Sequence, residues 1–175
     1  MFTDIRGFTA YCESKDPTTV VASLNEYFSR MVPCIVREHG MVDKFIGDGI
    51  MAIFADEEDT VAGDHPLRAV RAALAMVTQP GEFKTGAGIH TGVAVIGTIG
   101  SADKMDFTAL GDTVNLSSRL ESLNKEYKTR MLVSETTYES VKDRIPMVCL
   151  GQVQVRGKAV PMNIYTAAEL KQPAA

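Results

Sequence analysis

The sequence has few of the features that mark several common protein classes. It contains three cysteines, Cys12, Cys34 and Cys149, and none of them lies at CxxC spacing. This odd and scattered set predicts neither a disulfide framework nor a cysteine zinc site. Charged residues break the apolar runs well short of a membrane span, and no signal-peptide pattern opens the chain. We expect a soluble domain of the cytoplasm, without direct membrane contact, although a longer parent protein could be membrane-attached.

An excess of basic residues is also absent. Lys and Arg number 18 against 22 Asp and Glu, which gives a formal charge of -4. Nucleic-acid binding proteins usually carry a basic surface, so nucleic acid is not an expected partner. The hydrophobic share of 45% is typical of globular proteins, and 175 residues suit one domain. We predict a domain over residues 1–170, with a first strand that is short or truncated, and a loose tail at 171–175.

Apolar periodicity and turn residues predict both helices and strands. A helix begins after Asp16, which can cap it, with Pro17 at the first helical position and Pro33 as an interior disruption. Apolar runs on both sides of Asp48-Gly49 predict a hairpin over 41–54. Further helices are expected at 66–78, 113–124 and 135–144, and strands within 84–100, at 131–134 and within 149–166. Frequent hairpins beside helices predict an α+β fold with a mixed or antiparallel sheet.

Two carboxylates are candidate metal ligands. Asp4 follows a strand fragment, and Asp48 lies at the predicted hairpin tip. Carboxylates at strand ends and turns can converge on a hard cation such as Mg²⁺ or Mn²⁺. Spacing alone also permits a simpler interpretation, in which Asp48 is a turn residue and Asp4 caps a strand. The residues by themselves leave both interpretations open.

Several polar and basic residues are candidates for nucleotide contacts. Asn115 and Arg119 lie four apart and therefore share a helix face, where an Arg can bind a phosphate or simply be solvated. Lys44 interrupts an apolar strand, either as protection of a sheet edge or as a specific ligand. Arg156 and Lys158 flank Gly157 in a predicted turn that is either phosphate-facing or ordinary.

Several segments, taken in order, resemble the class III nucleotidyl cyclase catalytic domain. These segments are Phe2–Thr9 (FTDIRGFT), Leu24–Phe28 (LNEYF), Asp43–Ala52 (DKFIGDGIMA), Gly88–Gly92 (GIHTG), Ile96–Gly100 (IGTIG), Met105–Asn115 (MDFTALGDTVN) and Ser118-Arg119. They cover nearly the whole chain, and their number makes the resemblance specific. The resemblance implies a ferredoxin-like βαββαβ core with additional elements, and active sites formed between two domains of a head-to-tail dimer.

The resemblance also implies roles for individual residues. Asp4 and Asp48 match the two metal-binding aspartates, and the Ile5 carbonyl matches a further ligand of two Mg²⁺ or Mn²⁺ ions. The residues matching substrate contacts are Lys44 and Thr108 for the purine, Asn115 for the ribose, Arg119 for the reacting phosphate, and Arg156, with Lys158 as a substitute, for the phosphates. Arg156 departs from the family, which carries Lys at that place.

The implied activity is that of an adenylate cyclase of bacterial type. ATP would be converted to 3′,5′-cyclic AMP and pyrophosphate at sites shared across a homodimer. A lysine donor suits N1 of adenine, and the Thr108 hydroxyl can accept from the 6-amino group, so the Lys44 and Thr108 pair favours ATP. The alternatives are a guanylate cyclase and a non-catalytic, dimerising cyclase-like domain. A diguanylate cyclase is disfavoured, because Gly47-Asp48-Gly49 does not supply its Gly-Gly-acidic hairpin.

Overall fold

A computed structural model describes residues 1–154 and 161–170 of the chain. The strands are β1 (Phe2–Ile5), β2 (Met41–Ile46), β3 (Gly49–Ile53), β4 (Thr85–Ile89), β5 (Val95–Gly100), β6 (Met105–Leu110), β7 (Met131–Ser134), β8 (Met147–Val153) and β9 (Met162–Ala167). The α-helices are α1 (Phe8–Ser14), α2 (Pro17–Arg37), α3 (His65–Thr78), α4 (Asp112–Leu123) and α5 (Glu135–Val141), and a 3₁₀ turn follows at Ala168–Leu170. In the described part of the chain, no helix has the length and apolar character needed to cross a membrane.

The main sheet has seven strands in the order β2-β3-β1-β4-β7-β9-β8, and β5 pairs with β6 in a separate ribbon. All pairings are antiparallel except that of β4 with β7. The segment β1-α2-β2-β3-α3-β4 forms a βαββαβ unit with the strand order 4-1-3-2 of a ferredoxin-like core. The predicted α+β class, with its mixed and mostly antiparallel sheet, is confirmed.

Helices cover both faces of this sheet. Residues of β7 alternate between two apolar clusters, because successive side chains of a strand point to opposite faces. Met131 and Val133 belong to the larger cluster with α2 and α3, whereas Leu132 packs with Leu116 and Leu120 of α4. The strand is fully buried for this reason. Asp4 lies on the face of the sheet that α4 covers.

The helix predicted after Asp16 is confirmed as α2. The Asp16 side chain accepts a hydrogen bond from the Thr19 N–H at 3.0 Å, and Pro17 occupies the start of the helix. The helix continues through Pro33, which has no N–H to donate to the carbonyl one turn earlier. The stabilisation from the Asp16 cap and the buried apolar stripe is therefore larger than the cost of Pro33 inside the helix.

The hairpin of β2 and β3 is confirmed, but its turn differs from the prediction by one residue. Ile46 pairs with Gly49, so the turn consists of Gly47 and Asp48 rather than Asp48 and Gly49. Gly47 has φ 60°, a left-handed conformation that glycine adopts at little cost. Gly49 is instead required by close packing, since a Cβ there would lie 2.4 Å from the Thr3 carbonyl oxygen.

Candidate active site

The two predicted metal aspartates lie together at one end of the sheet. Asp4 is in β1, and Asp48 is in the turn that follows β2. Asp48 Oδ2 accepts a hydrogen bond from the Ile5 backbone N–H at 3.1 Å, a link across 43 residues of sequence. The close packing of Gly49 against Thr3 holds this turn beside β1. Contacts with the main chain of β1 therefore hold the Asp48 carboxylate beside Asp4.

Electrostatics at this pair are unfavourable without a cation. The pKa of Asp4 is raised from 3.8 to about 6, mainly by burial, and the neighbouring Asp48 and Glu121 carboxylates contribute to this shift in the same direction. Burial also raises the pKa of Glu121, against the opposing effect of the Arg6 guanidinium, whose nitrogen lies 2.9 Å from a Glu121 carboxylate oxygen. Crowded carboxylate oxygens suit a hard divalent cation. The residues present therefore fit a Mg²⁺ or Mn²⁺ site.

A cavity of about 310 Å³ opens beside Asp4. The residues lining it come from β1, β3, the end of β2 and one face of α4: Phe2, Thr3, Asp4, Ile46, Gly49, Ile50, Ser118, Glu121 and Ser122. Among the described residues, α4 contributes Ser118, Glu121 and Ser122 to this lining and not Asn115 or Arg119. Within the described part of one chain, the predicted ribose and phosphate contacts therefore do not line the cavity beside Asp4.

The structure brings Lys44 and Thr108 together through a third residue, Asp43. The Thr108 hydroxyl donates to Asp43 Oδ2 at 2.9 Å, and Lys44 Nζ lies 3.5 Å from the same oxygen. The Asp43 side chain is fully buried, whereas that of Lys44 is 38% exposed. The predicted purine pair is thus one cluster, formed where β6 approaches β2.

Asn115 and Arg119 occupy successive turns of α4, as predicted. Asn115 is exposed and Arg119 is half-buried. Packing of α4 against β4, β1 and β7 fixes the direction of the helix, and Gly88 allows the close approach. A Cβ at Gly88 would lie 2.1 Å from the Glu121 backbone nitrogen. The remaining two candidates, Arg156 and Lys158, lie outside the described residues.

This arrangement can be compared with known proteins. The sequence profile of the adenylate and guanylate cyclase catalytic domain matches residues 1–168. The chain belongs to this family. It is 37% identical to adenylate cyclase 1 of Rhizobium meliloti over 178 aligned positions. The alignment covers 94% of the chain but only 26% of that protein. It is 33% identical to the adenylate cyclase of Anabaena cylindrica, over 94% of the chain and 35% of that protein.

Solved cyclase structures share the fold of this cyclase domain. The adenylyl cyclase CyaB of P. aeruginosa superposes with a TM-score of 0.85 at 30% identity, covering 99% of the chain and 94% of that structure. The guanylyl cyclase Cya2 superposes with a TM-score of 0.78 at 34% identity, covering 98% and 91%. Neighbours of both nucleotide specificities therefore resemble the cyclase domain, and the choice of purine must be argued from its own residues.

The β5–β6 ribbon of the cyclase domain carries an unusual amount of exposed apolar surface. Its large apolar residues with at least a third of their surface exposed are Val95, Ile96, Ile99, Met105, Phe107 and Leu110. They lie on both faces of the ribbon, since Phe107 and Leu110 are an odd number of residues apart. A two-stranded ribbon is marginally stable alone, and clustered exposed apolar residues mark interaction surfaces.

Three residues of the site were not predicted from sequence. Asp43 was hidden because regular strand alternation would place it on the opposite face from Lys44. Glu121 and Arg6 were also missed. Glu121 lies one helical turn before Lys125 and resembles an ordinary helix ion-pair residue. An available signal was the position of Arg6, which lies two residues after Asp4 and directly after the end of β1.

Proposed function

We propose that this domain is an adenylate cyclase that converts ATP to 3′,5′-cyclic AMP and pyrophosphate. The observation that carries the proposal is the coexistence of the Asp4 and Asp48 pair with the Lys44, Asp43 and Thr108 cluster. The aspartate pair can hold cations that bind a triphosphate, and the Lys44, Asp43 and Thr108 cluster can form hydrogen bonds with the edge of adenine. Relatives named adenylate cyclase support the same assignment.

The aspartates and the Ile5 carbonyl would hold two Mg²⁺ or Mn²⁺ ions. When bound, such ions supply a lowered pKa for the ribose 3′-hydroxyl and neutralise charge on the phosphates. In the reaction the 3′-oxygen loses its proton and forms a bond to the α-phosphorus, while the bond from that phosphorus to the bridging oxygen breaks. Pyrophosphate leaves with the bonding electrons. No covalent intermediate with the protein is required.

The other residues bind and orient the nucleotide. Lys44 donates to N1 of adenine, and Thr108 accepts from the 6-amino group. Asn115 orients the ribose, and Arg119 places positive charge beside the reacting phosphate. Arg156, or Lys158 in its place, would contact the phosphates. Fixed geometry and preorganised charge supply the rate enhancement in this scheme.

We further propose that each active site is shared by two copies of the domain in a head-to-tail homodimer. In one chain, Asn115 and Arg119 are absent from the described lining of the cavity beside Asp4, which supports their contribution by a second chain. The exposed apolar residues of the β5–β6 ribbon offer a surface for that contact. One subunit then contributes Asp4 and Asp48, and its partner contributes the nucleotide-orienting residues.

Turnover by the purified dimer tests the reaction. ATP and GTP are offered in parallel with Mn²⁺, and cyclic nucleotide and pyrophosphate are measured. The proposal expects cyclic AMP and little cyclic GMP. Mainly cyclic GMP would favour guanylate cyclase instead, a candidate supported by the 34% identity to the guanylyl cyclase Cya2. No product from a verified dimer would contradict both activities and favour a non-catalytic domain.

Complementation between two inactive variants tests the shared sites. Asp48→Ala removes a metal ligand, and Asn115→Ala removes a ribose contact on the other side of the proposed interface. Each homodimer should be inactive. A mixed dimer contains one site with both residues intact, so about half the wild-type activity per heterodimer is expected. Verified heterodimers without activity would contradict the shared-site proposal while leaving the reaction itself open to the first test.

A further inference from the structure

Asp43 has the properties of a residue that fixes the hydrogen-bonding direction of Thr108. Its side chain is fully buried, and its Oδ2 accepts the Thr108 hydroxyl proton at 2.9 Å. Lys44 Nζ lies 3.5 Å from the same oxygen, so both members of the purine pair meet one carboxylate. The other oxygen, Oδ1, is buried and has no hydrogen-bond partner among the described residues. The Thr108 contact is therefore the principal one that this buried carboxylate makes.

A β-bulge explains why adjacent residues reach the same cluster. Val42 pairs with Ala52 and Lys44 pairs with Met51, so Asp43 is an extra residue in β2. In a regular strand, Asp43 and Lys44 would point to opposite faces. A bulge locally changes side-chain direction and is common beside active sites. Here it allows both side chains to approach Thr108 of β6.

The direction of the Thr108 hydroxyl matters because a hydroxyl can either donate or accept. Adenine presents an amino group at position 6, which needs an acceptor, and guanine presents a carbonyl there, which needs a donor. A freely rotating threonine would serve both bases. Lys44 does not resolve this ambiguity alone, since an ammonium can donate to adenine N1 or to a 6-carbonyl.

We propose that Asp43 is a specificity-determining positioning residue, which holds the Thr108 proton so that only an acceptor faces the purine. This inference rests on the proposed cyclase function and deepens it. With its proton committed to Asp43, the Thr108 oxygen accepts from a 6-amino group and repels a 6-carbonyl. Asp43 thereby selects 6-amino over 6-oxo purines without touching the base.

The test compares ATP with inosine triphosphate, which carries a 6-carbonyl and lacks the 2-amino group of guanine. The ratio of kcat/KM for the two nucleotides is measured for the wild-type dimer, Asp43→Ala, Thr108→Val and the double variant. Asp43→Ala frees the hydroxyl to donate, so the ATP preference should fall about tenfold, the usual effect of one directional hydrogen bond. Adding Asp43→Ala to Thr108→Val should change the ratio no further, because the hydroxyl is already gone.

A purely structural role for Asp43 gives a different result. In that case Asp43→Ala would lower turnover of both nucleotides alike, leave their ratio unchanged, and add its effect to that of Thr108→Val. Asp43→Leu keeps the number and branching of the side-chain heavy atoms without a hydrogen-bond acceptor, and it provides the test if the alanine variant does not fold. Asp143→Ala removes an exposed carboxylate away from the site and should match the wild type.

Failure of this inference is distinguishable from failure of the proposed function. A wild-type dimer that makes no cyclic AMP, or that prefers inosine triphosphate, would overturn the adenylate cyclase assignment and the role of Asp43 together. A wild type that prefers ATP, with the same preference in folded Asp43 variants, would overturn the role of Asp43 alone.

Discussion

Replacing Asp4 by asparagine is expected to stabilise the metal-free domain at neutral pH. The Asp4 pKa is raised from 3.8 to about 6 by burial and then by the Asp48 and Glu121 carboxylates. The unfolded chain therefore loses this proton at a lower pH than the folded chain does. Above that range, ionised Asp4 favours unfolding. The Asp4→Asn variant would present an uncharged amide to Asp48 and remove the penalty.

The magnitude follows from the size of the pKa shift. At 1.36 kcal/mol per unit the full shift corresponds to about 3 kcal/mol. Asp4 is only half-buried, so solvent screening leaves an expected gain of about 1 kcal/mol. In a domain of 175 residues this raises Tm by about 2–4 °C. The stability that Asp4→Asn gains over the wild type is absent below pH 3.8, grows as the pH rises, and is constant above about pH 6.

Calorimetry in EDTA at pH 4.5 and pH 7.5 measures this effect. The samples are the wild type, Asp4→Asn and Asp143→Asn, the last replacing an exposed carboxylate that should leave Tm unchanged. Equal Tm values for wild type and Asp4→Asn at pH 7.5, or an equal gain at both pH values, would refute the reasoning. Added Mn²⁺ should reverse the order, because the wild type retains both carboxylates for the cation.

Two other substitutions test the packing of the site and its assembly. Gly49→Ala places a Cβ 2.4 Å from the Thr3 carbonyl oxygen and should lower the free energy of unfolding by more than about 2 kcal/mol. In the same calorimetric comparison the control is Gly97→Ala, whose added Cβ meets no atom within 4 Å and should leave Tm unchanged. Phe107→Ser should convert the proposed homodimer to monomers in light scattering and abolish cyclic AMP formation, whereas Val21→Ser, at a similarly exposed position of α2, should do neither. A stable Gly49→Ala variant or a dimeric, active Phe107→Ser variant would contradict these expectations.

The elements that could be predicted from sequence have strong local signals. The start of α2 is marked by Asp16 and Pro17, and its apolar stripe is long enough to outweigh Pro33. By contrast, α1 was not predicted, because it is short, has no side-chain cap and contains no buried residue. The strand β6 was missed for a related reason, since its apolar residues are mostly exposed and do not follow a buried-face alternation.

Predicting the site required information that the spacing of residues in the sequence does not contain. Asp4 and Asp48 are adjacent because the Ile5 N–H donates a hydrogen bond to the Asp48 carboxylate and because Gly49 packs against Thr3, and neither contact has a periodic signature. Resemblance to a family identified both aspartates where local patterns left two interpretations. Neither local patterns nor the family resemblance indicated the contact of Asp43 with Thr108, because the direction of the Asp43 side chain depends on a bulge in the pairing of β2 with β3.

The position of Thr108 has a consequence for how selectivity can evolve. This residue lies in β6, the same strand that carries the exposed side chains of Met105, Phe107 and Leu110. A substitution in β6 that adapts the ribbon to a different neighbouring chain would therefore lie in the same short strand that positions Thr108. If the ribbon and Thr108 have the roles proposed above, partner choice and nucleotide choice are coupled through one strand, and a change selected for one is expected to affect the other.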